Sequence, residues 1–530
     1  MALNFRKLDR ASYYPAQSRN VAYLKADNWD DYGFKTIFFL TVFDENGVEI
    51  EIGSVKIAYV GLAEGWTAHQ IPNQFNNLHE NYFSLGQDAD YYQNIVSKLS
   101  PDMANNLLTA LGDVVNDSNR LSVAEQQPAF GTSLLRSVSK SAITNQFIRI
   151  LGGGTPLTEY DFFYEKVANE RYSGIKVEFK VNPGTKPSSN IHILIGRNGI
   201  GKTTLLNNMV NALLPNRGEP AETGVFATRN AFVPPAYLSL LDDDYFGSVV
   251  SVSFSAFDPF IPPPDQPDAN LGTCYYYVGL KEVNEQGVEA EEKLKTRLDL
   301  RDEFIASIKV CLSLSGKKER WINSVRKLES DDNFELMNLC QLVAIADQDQ
   351  TPNKDQLAHA AGSLFILMSS GHAIVLLSVT KLVETVEEKT LVLIDEPESH
   401  LHPPLLSAFT RALSDLLINR NGVAIIATHS PVVLQEVPKS CVSILRRRRL
   451  VGNVDRPENE TFAENVGALT REVFGLEVAK SGFLDLLSKS VAEGKSYDEI
   501  EREYNNQIGF EGKAILRSLI STRDLQEGGS

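Results

Sequence analysis

The segment IHILIGRNGIGKTTLLNNMV (residues 191–210) constrains the fold more than any other, because an apolar run, a glycine-rich turn and an amphipathic helix follow one another without a break. Gly196-Arg197-Asn198-Gly199-Ile200-Gly201-Lys202-Thr203, followed by Thr204, keeps the spacing G-x-x-x-x-G-K-[ST]. Glycines let backbone N–H groups turn inward around an anion. The start of the following helix adds partial positive charge. The pattern predicts a loop that cradles the phosphates of ATP, with Lys202 on the β- and γ-phosphates and the Thr203 hydroxyl on Mg2+.

A second segment, LVLIDEPESHLHP (391–403), sets two carboxylates at the end of an apolar run. Leu391, Val392, Leu393 and Ile394 read as a buried strand that delivers Asp395 to its carboxyl end, where ligands sit in a parallel sheet. Asp395 is expected to hold Mg2+ through water, and Glu396 to polarise the attacking water as general base. VAIIATHSP (423–431) is another apolar strand, and it ends in Thr428-His429-Ser430. From there His429 is expected to reach the γ-phosphate. An acidic pair or a histidine alone is a common surface feature. Joined to the phosphate loop, they describe a nucleotide site.

Buried strands alternating with helices indicate a parallel α/β core. TIFFLTVF (36–43) and GVEIEIGSVKIAYVGL (47–62) read as strands joined at Asp44-Glu45-Asn46-Gly47, which carries the Asn-Gly hairpin signal. Strands are also expected at 175–181, 192–195, 249–257, 273–280, 391–394, 423–427 and 441–445. Helical texture from about 77 to 167 and from 289 to 346 marks two insertions. The proline cluster from Pro259 to Pro267 marks a surface loop. The tail from Asn459 onward reads as helical.

Charge narrows the choice of partner. The net charge of -17 gives no overall field for nucleic acid, so any contact with DNA or RNA would need a local basic patch. Arg446–Arg449 is the one dense basic run, read either as an exposed strand end or as a phosphate or partner contact. No apolar run approaches the ~20 residues of a membrane helix, and the stretch from Met1 to Tyr14 lacks a signal-peptide core. Cys274, Cys311, Cys340 and Cys441 stand apart, as reduced thiols do. A cytoplasmic protein without a membrane partner is the expectation.

In order and spacing these motifs resemble the ABC-type ATPase heads shared by SMC, RecF, Rad50 and overcoming-lysogenisation proteins. The linking feature is Met368-Ser369-Ser370-Gly371-His372, which resembles the LSGGQ signature and precedes the acidic strand. The resemblance implies an α/β fold: an ABC-type P-loop head with a mixed, mainly parallel sheet, helical insertions and a helical C-terminal tail. It implies that Ser369, Ser370 and Gly371 cap the γ-phosphate of ATP bound to an opposite subunit, so that the sites are completed only in a head-to-head homo-oligomer. It makes Ser399-His400-Leu401-His402-Pro403 a loop that crosses the interface. Two positions depart from the pattern. His372 stands where the signature has glutamine, and Asp258, in Phe257-Asp258-Pro259, stands where a Q-loop glutamine is expected. An aspartate there is able to contact Mg2+ or its water; a plain turn before proline is the other reading.

Over a longer stretch the chain resembles the PtuA ATPase of Septu and retron anti-phage systems. The residues concerned are WDDYGFKTIFF, IGSVKI, SSGH, DEPESHLHPP and ETFAENVGALTREVFGLEVAKSGF (460–483). In those systems the ATPase works with a separate HNH nuclease and, in retrons, with a reverse transcriptase and its RNA–DNA product. The implied division is N-terminal strands of the head (1–76), a helical insertion (77–170), a core with the phosphate loop (171–264), an inserted subdomain (265–360), a core with signature, acidic strand and His429 (361–458), and a helical C-terminal region (459–530). The segment after His429 contains no D-x-D pair of the kind an overcoming-lysogenisation nuclease needs, so a nuclease is expected in a partner chain. The implied function is an ATP-driven subunit controlling that partner. A RecF- or SMC-like DNA-binding repair ATPase is the alternative, and a transporter's nucleotide-binding subunit a third.

Overall fold

The computed structural model describes the chain apart from residues 1–2, 10–11, 16–17, 141, 153–158, 169–173, 215–218, 229–238, 243–244, 256–257, 269–270, 283–292, 349–354, 449–450, 476–481 and 528–530. Residues 4 to 151 build one packed unit. Its strands are β1 (Asn4–Asp9), β2 (Val21–Ala26), β3 (Phe34–Lys35), β4 (Ile37–Phe43), β5 (Glu49–Tyr59), β6 (Gly65–Trp66), β7 (Gln74–Phe75) and β8 (Tyr82–Gly86). Six of them form a sheet in the order β7-β1-β2-β4-β5-β8, while β3 pairs with β6. The β4–β5 turn falls at the Asn-Gly pair: Asp44 Oδ1 accepts the N–H groups of Asn46 and Val48 at 2.9 and 2.8 Å.

The helices α1 (Ala89–Lys98), α2 (Pro101–Leu111), α3 (Ser118–Ala124), α4 (Pro128–Thr132) and α5 (Ile148–Leu151) pack on this sheet. Strands and helices share a core that runs from Leu3 to Ile150 and includes Phe38, Ile57, Tyr91 and Phe147. The first strands therefore belong to a sheet of their own and not to the one that carries the phosphate loop. Phe38, Leu40 and Val42 of β4 and Ile52, Val55 and Ile57 of β5 put their side chains in this core, and the helices next in sequence cover that face.

The remainder is built around two further sheets. Its elements run β9 (Tyr160–Lys166), β10 (Ile175–Val181), β11 (Ile191–Ile195), α6 (Lys202–Leu213), α7 (Pro220–Thr223), β12 (Val225–Thr228), β13 (Ser239–Leu240), β14 (Ser248–Ser253) and β15 (Cys274–Gly279). Then come α8 (Arg297–Ser313), α9 (Ser315–Leu328), α10 (Asp332–Met337), α11 (Gln341–Gln348), α12 (Asp355–Leu367), α13 (Ser370–Thr385) and β16 (Thr390–Asp395). The last group is α14 (Pro403–Arg420), β17 (Val423–Thr428), α15 (Pro431–Leu434), β18 (Val442–Arg448), β19 (Val451–Asp455) and α16 (Val466–Phe474). Tail helices Gly482–Ala492, Tyr497–Glu503 and Phe510–Glu527 gather round a small core of Leu487, Val491, Ile500 and Leu516.

β10-β9-β12-β13 is a four-stranded antiparallel sheet. The central sheet has seven strands in the order β15-β14-β16-β17-β11-β18-β19, parallel from β15 to β18, with β19 antiparallel to β18. Both of its faces are covered. Along β16, Val392 and Ile394 join the core that includes Phe304, Trp321, Leu376 and Leu406 from α8, α9, α13 and α14. Leu391 and Leu393 join the opposite core, with Leu205 and Met209 of α6 and Phe162 and Phe226 of the four-stranded sheet. Double burial is why these strands read as continuous apolar runs.

Two strand ends differ from the sequence reading. The strand expected to reach 257 stops at Ser253, and 256–257 lie outside the described residues. β18 runs beyond Leu445 into the basic run, because β19 supplies a hairpin partner for it. There Arg446 Nε lies 3.5 Å from Asp455, and Arg449 lies outside the described residues. No helix among the described residues is long and apolar enough to cross a membrane.

Candidate nucleotide site

β11 is buried along its whole length and lies between β17 and β18, so its carboxyl end opens straight into residues 196–201. Gly199 and Gly201 have φ of +75° and +101°, a backbone that only glycine adopts at little cost. α6 starts at Lys202 with no side-chain cap, which leaves its first N–H groups directed at the loop. Arg197 and Asn198 are exposed at the turn, Ile200 packs inward, and Thr203 and Thr204 are half-buried in the first helical turn. Lys202 is buried. Its Nζ donates to the carbonyls of Gly196 and Arg197 at 3.1 and 3.4 Å and lies 3.7 Å from Glu396 Oε1.

Two strands away, β16 ends at Asp395. Burial pushes the Asp395 carboxyl up to about 6; a hydrogen bond from Thr203 opposes this, and the charges of Glu396 and Asp258 add to it. Asp395 Oδ1 is buried without a hydrogen-bond partner. A hydroxyl and an under-satisfied carboxylate are hard oxygen donors suited to Mg2+, which takes most of its other ligands from phosphate and water. The residues present therefore fit that ion. Among the described residues no three or more His, Cys, Asp or Glu side chains form an all-protein metal cage.

Glu396 has φ +44° and ψ 58°, a left-handed conformation that costs a non-glycine residue roughly 1–2 kcal/mol. Its N–H donates to Ala427 O at 2.9 Å, tying the turn to β17. Its carboxylate thereby lies between Lys202 and His429, whose Nδ1 is 3.6 Å from Glu396 Oε1. A further carboxylate sets the histidine. Glu398 Oε1 accepts from the Thr428 hydroxyl and from the His429 N–H, each at 2.6 Å, and lies 3.0 Å from His429 Nδ1.

Asp258 shares a narrow cleft with Thr203 and Asp395. Its Oδ1 accepts the Phe260 N–H at 2.9 Å, an Asx turn that carries the chain into the proline-rich loop. Lys281, past the end of β15, donates to the carbonyls of Asp258 and Phe260 and pins that loop. Sequence reasoning missed Glu398 and Lys281. The first was visible only as the third acid of D-E-P-E, and the second carried no signal.

Ser369 N-caps α13, accepting the His372 N–H at 3.4 Å, and both Ser369 and Ser370 are exposed. A Cβ on Gly371 would lie 2.6 Å from the His400 carbonyl, so glycine lets the signature touch the loop after β16. His400 Nε2 in turn lies 3.1 Å from Phe254 O at the end of β14. Among the described residues no hydrogen bond or ion pair joins Ser369–His372 to Lys202, Glu396 or His429. One chain thus joins Lys202, Glu396 and His429 in one set of contacts, in which Ser369–His372 take no part among the described residues.

The strand–glycine loop–helix unit at β11 and α6, beside the carboxylates that end β16, defines a P-loop nucleotide-binding fold. A family model described as "AAA domain, putative AbiEii toxin, Type IV TA system" matches residues 290–435, which include Ser369–Gly371, Asp395, Glu396 and His429. The chain belongs to the family of Protein ea59 of Escherichia phage lambda, to which it is 47% identical over 535 residues, covering 98% of this chain and 99% of that protein. Among solved structures, an ATP-binding cassette of an ABC transporter in its ADP conformation aligns at TM-score 0.30 and 11% identity, over 61% of this chain and 100% of that one. An inward-facing putative metal-chelate type ABC transporter aligns at TM-score 0.29 and 15% identity, over 59% and 89%. At these scores neither alignment adds to the reading of the site.

Proposed function

We propose that the chain binds and hydrolyses ATP with Mg2+ in composite sites formed when two copies meet head to head, and that this cycle controls a separate nuclease in anti-phage defence. The observation that carries the reading is the contact chain Lys202–Glu396–His429 at the carboxyl end of the central sheet. In this reading the first turn of α6 and Lys202 bind the β- and γ-phosphates. Asp395 and Thr203 hold Mg2+, with Asp258 at the edge of the same cleft; the ion neutralises phosphate charge when bound. Glu396 accepts a proton from the attacking water, and His429, steadied by Glu398, meets the γ-phosphate. Ser369, Ser370 and Gly371 of a second copy close the site from the other side. That no hydrogen bond or ion pair among the described residues joins the two groups within one chain supports that division of labour.

The resemblance to PtuA assigns cutting to a separately encoded HNH nuclease, joined in retrons by a reverse transcriptase and its RNA–DNA. The alternative of a DNA-repair clamp has no favouring observation: the net charge is -17, and Arg446 of the basic run is paired with Asp455.

The test is Mg2+-dependent ATP turnover by the full chain and by Glu396→Gln. The substitution is expected to lower kcat by about 10^2–10^4-fold while ATP binding persists and ATP-loaded dimers accumulate in light scattering. Unchanged turnover would remove Glu396 as the base. Co-expression with neighbouring genes followed by affinity capture tests the partner. An HNH nuclease is expected, and its absence from both wild-type and Glu396→Gln captures with ATP would sink the defence assignment.

A further inference from the structure

The signature and the loop after β16 converge on a carboxylate that neither motif contains. Asp331 lies at the start of α10, where its Oδ1 accepts the N–H groups of Asn333 and Phe334 at 3.0 and 3.3 Å. His372 Nε2 is 3.1 Å from its Oδ1, and His402 Nε2 is 3.1 Å from its Oδ2, so one carboxylate serves two imidazoles. The Asp331 side chain is only 9% exposed. Burial works against its charge, yet the His372 hydrogen bond and the Phe334 N–H hold its carboxyl below the usual range.

The far side of each ring is also engaged. His402 Nδ1 accepts the Leu405 N–H at 3.3 Å and so N-caps α14, which leaves Nε2 as the nitrogen that donates to Asp331. His372 Nδ1 is 2.5 Å from Ser369 Oγ, and the ring packs against Phe334 with centroids 5.1 Å apart. A donor bond from His372 Nε2 to Asp331 fixes the ring and so sets which way the Ser369 hydroxyl turns. A histidine at this position needs such a partner, because its two nitrogens are distinguished only by what each one bonds.

We propose that Asp331 is a positioning residue for ATP turnover: it orients His372, through it the Ser369 hydroxyl, and also His402 at the head of α14, so that the inserted helices set how this chain caps ATP on an opposite copy. The inference rests on the composite-site reading above and extends it to a residue outside every motif. It also accounts for histidine at the fifth signature position, since Asp331 and His372 together replace a single glutamine.

The full chain is compared with Asp331→Ala, Asp331→Asn, His372→Ala and the double variant Asp331→Ala/His372→Ala. Three quantities are read: kcat for ATP, affinity for a fluorescent ATP analogue, and ATP-driven dimerisation in a Glu396→Gln background. Asp331→Ala is expected to lower kcat by about 10-fold or more, as small misplacements of acting groups do, and to weaken dimerisation, with analogue affinity within about 2-fold of wild type. The double variant is expected to lose no more than the worse single, because both changes break one chain of contacts. Asp331→Asn retains a good helix cap and tests the same point if Asp331→Ala fails to fold: a lower kcat at an unchanged melting temperature is expected. Wild-type kcat in Asp331→Asn or Asp331→Ala, or losses that multiply in the double variant, would overturn the inference alone. No ATP-driven dimer in the Glu396→Gln background itself would overturn it together with the composite-site reading.

Discussion

At the end of β17 the aim of His429 depends on Glu398. That side chain holds the backbone N–H of His429 and the hydroxyl of Thr428 on one oxygen, each at 2.6 Å. Hydrogen bonds to a charged group contribute about 1.5–3 kcal/mol, so Glu398→Ala is expected to lower stability by roughly that amount in urea titrations. It should also reduce kcat about 10-fold with little change in KM, as loss of positioning does. A rise in KM without a drop in kcat would place Glu398 in binding instead. Asp395 and Glu396 were legible in the sequence because four apolar residues run directly into them. Glu398 was not, because its partners lie 30 and 31 positions further along the chain.

Elements carry a second kind of information. Asp113 follows the glycine that ends α2, and it is buried at 1% exposure. Its Oδ2 accepts from the Tyr92 hydroxyl of α1 at 3.0 Å, and its Oδ1 accepts the Val115 N–H at 2.9 Å. Burial pushes this carboxyl up to about 7, with the Tyr92 and backbone donors opposing. The sign follows from linkage. Below the unfolded value of 3.8 both states are protonated; between there and about 7 only the unfolded chain ionises, so stability falls as pH rises, and above about 7 the loss is complete. Between pH 5 and pH 8 the effect is at most about 3 kcal/mol. Denaturation at those two pH values is expected to show the fall, and Asp113→Asn is expected to shrink it. An equal fall in that variant would remove Asp113 as the cause. β11, β16 and β17 fall where apolar runs predict strands, and β10 where an alternating pattern does, but β8 and β9 are strands inside the stretch from 77 to 167 that reads as helical, because each is held by a sheet partner, β5 for β8 and β10 for β9. The end of β14 and the length of β18 were not legible either, because a turn at Asp258 and a hairpin partner in β19 decide them.

The whole molecule is joined across its two parts by ionic contacts. Arg420, at the end of α14 and 1% exposed, has Nη2 3.5 Å from Asp90 of α1 and Nη1 3.7 Å from Glu387, which also meets Lys317 Nζ at 2.8 Å. Glu387 keeps Lys317 and the half-exposed Asp90 keeps Arg320 at 3.8 Å when Arg420 is removed, so the loss is that of less well satisfied buried polar groups, about 1–3 kcal/mol. Arg420→Ala is expected to lose that much in equilibrium denaturation. A change under about 1 kcal/mol, the range of an exposed pair, would show that the junction is solvated. By itself the sequence determined the phosphate loop, the acidic strand and the parallel core, since each is written in adjacent residues whose backbone geometry and burial are locally imposed. Only the tertiary structure decided that the N-terminal strands form a separate sheet, that Glu398 aims His429, and that Asp331 lies between His372 and His402. Those contacts join positions far apart in the chain, and no local pattern of hydrophobicity or spacing encodes which distant carboxylate a histidine will meet.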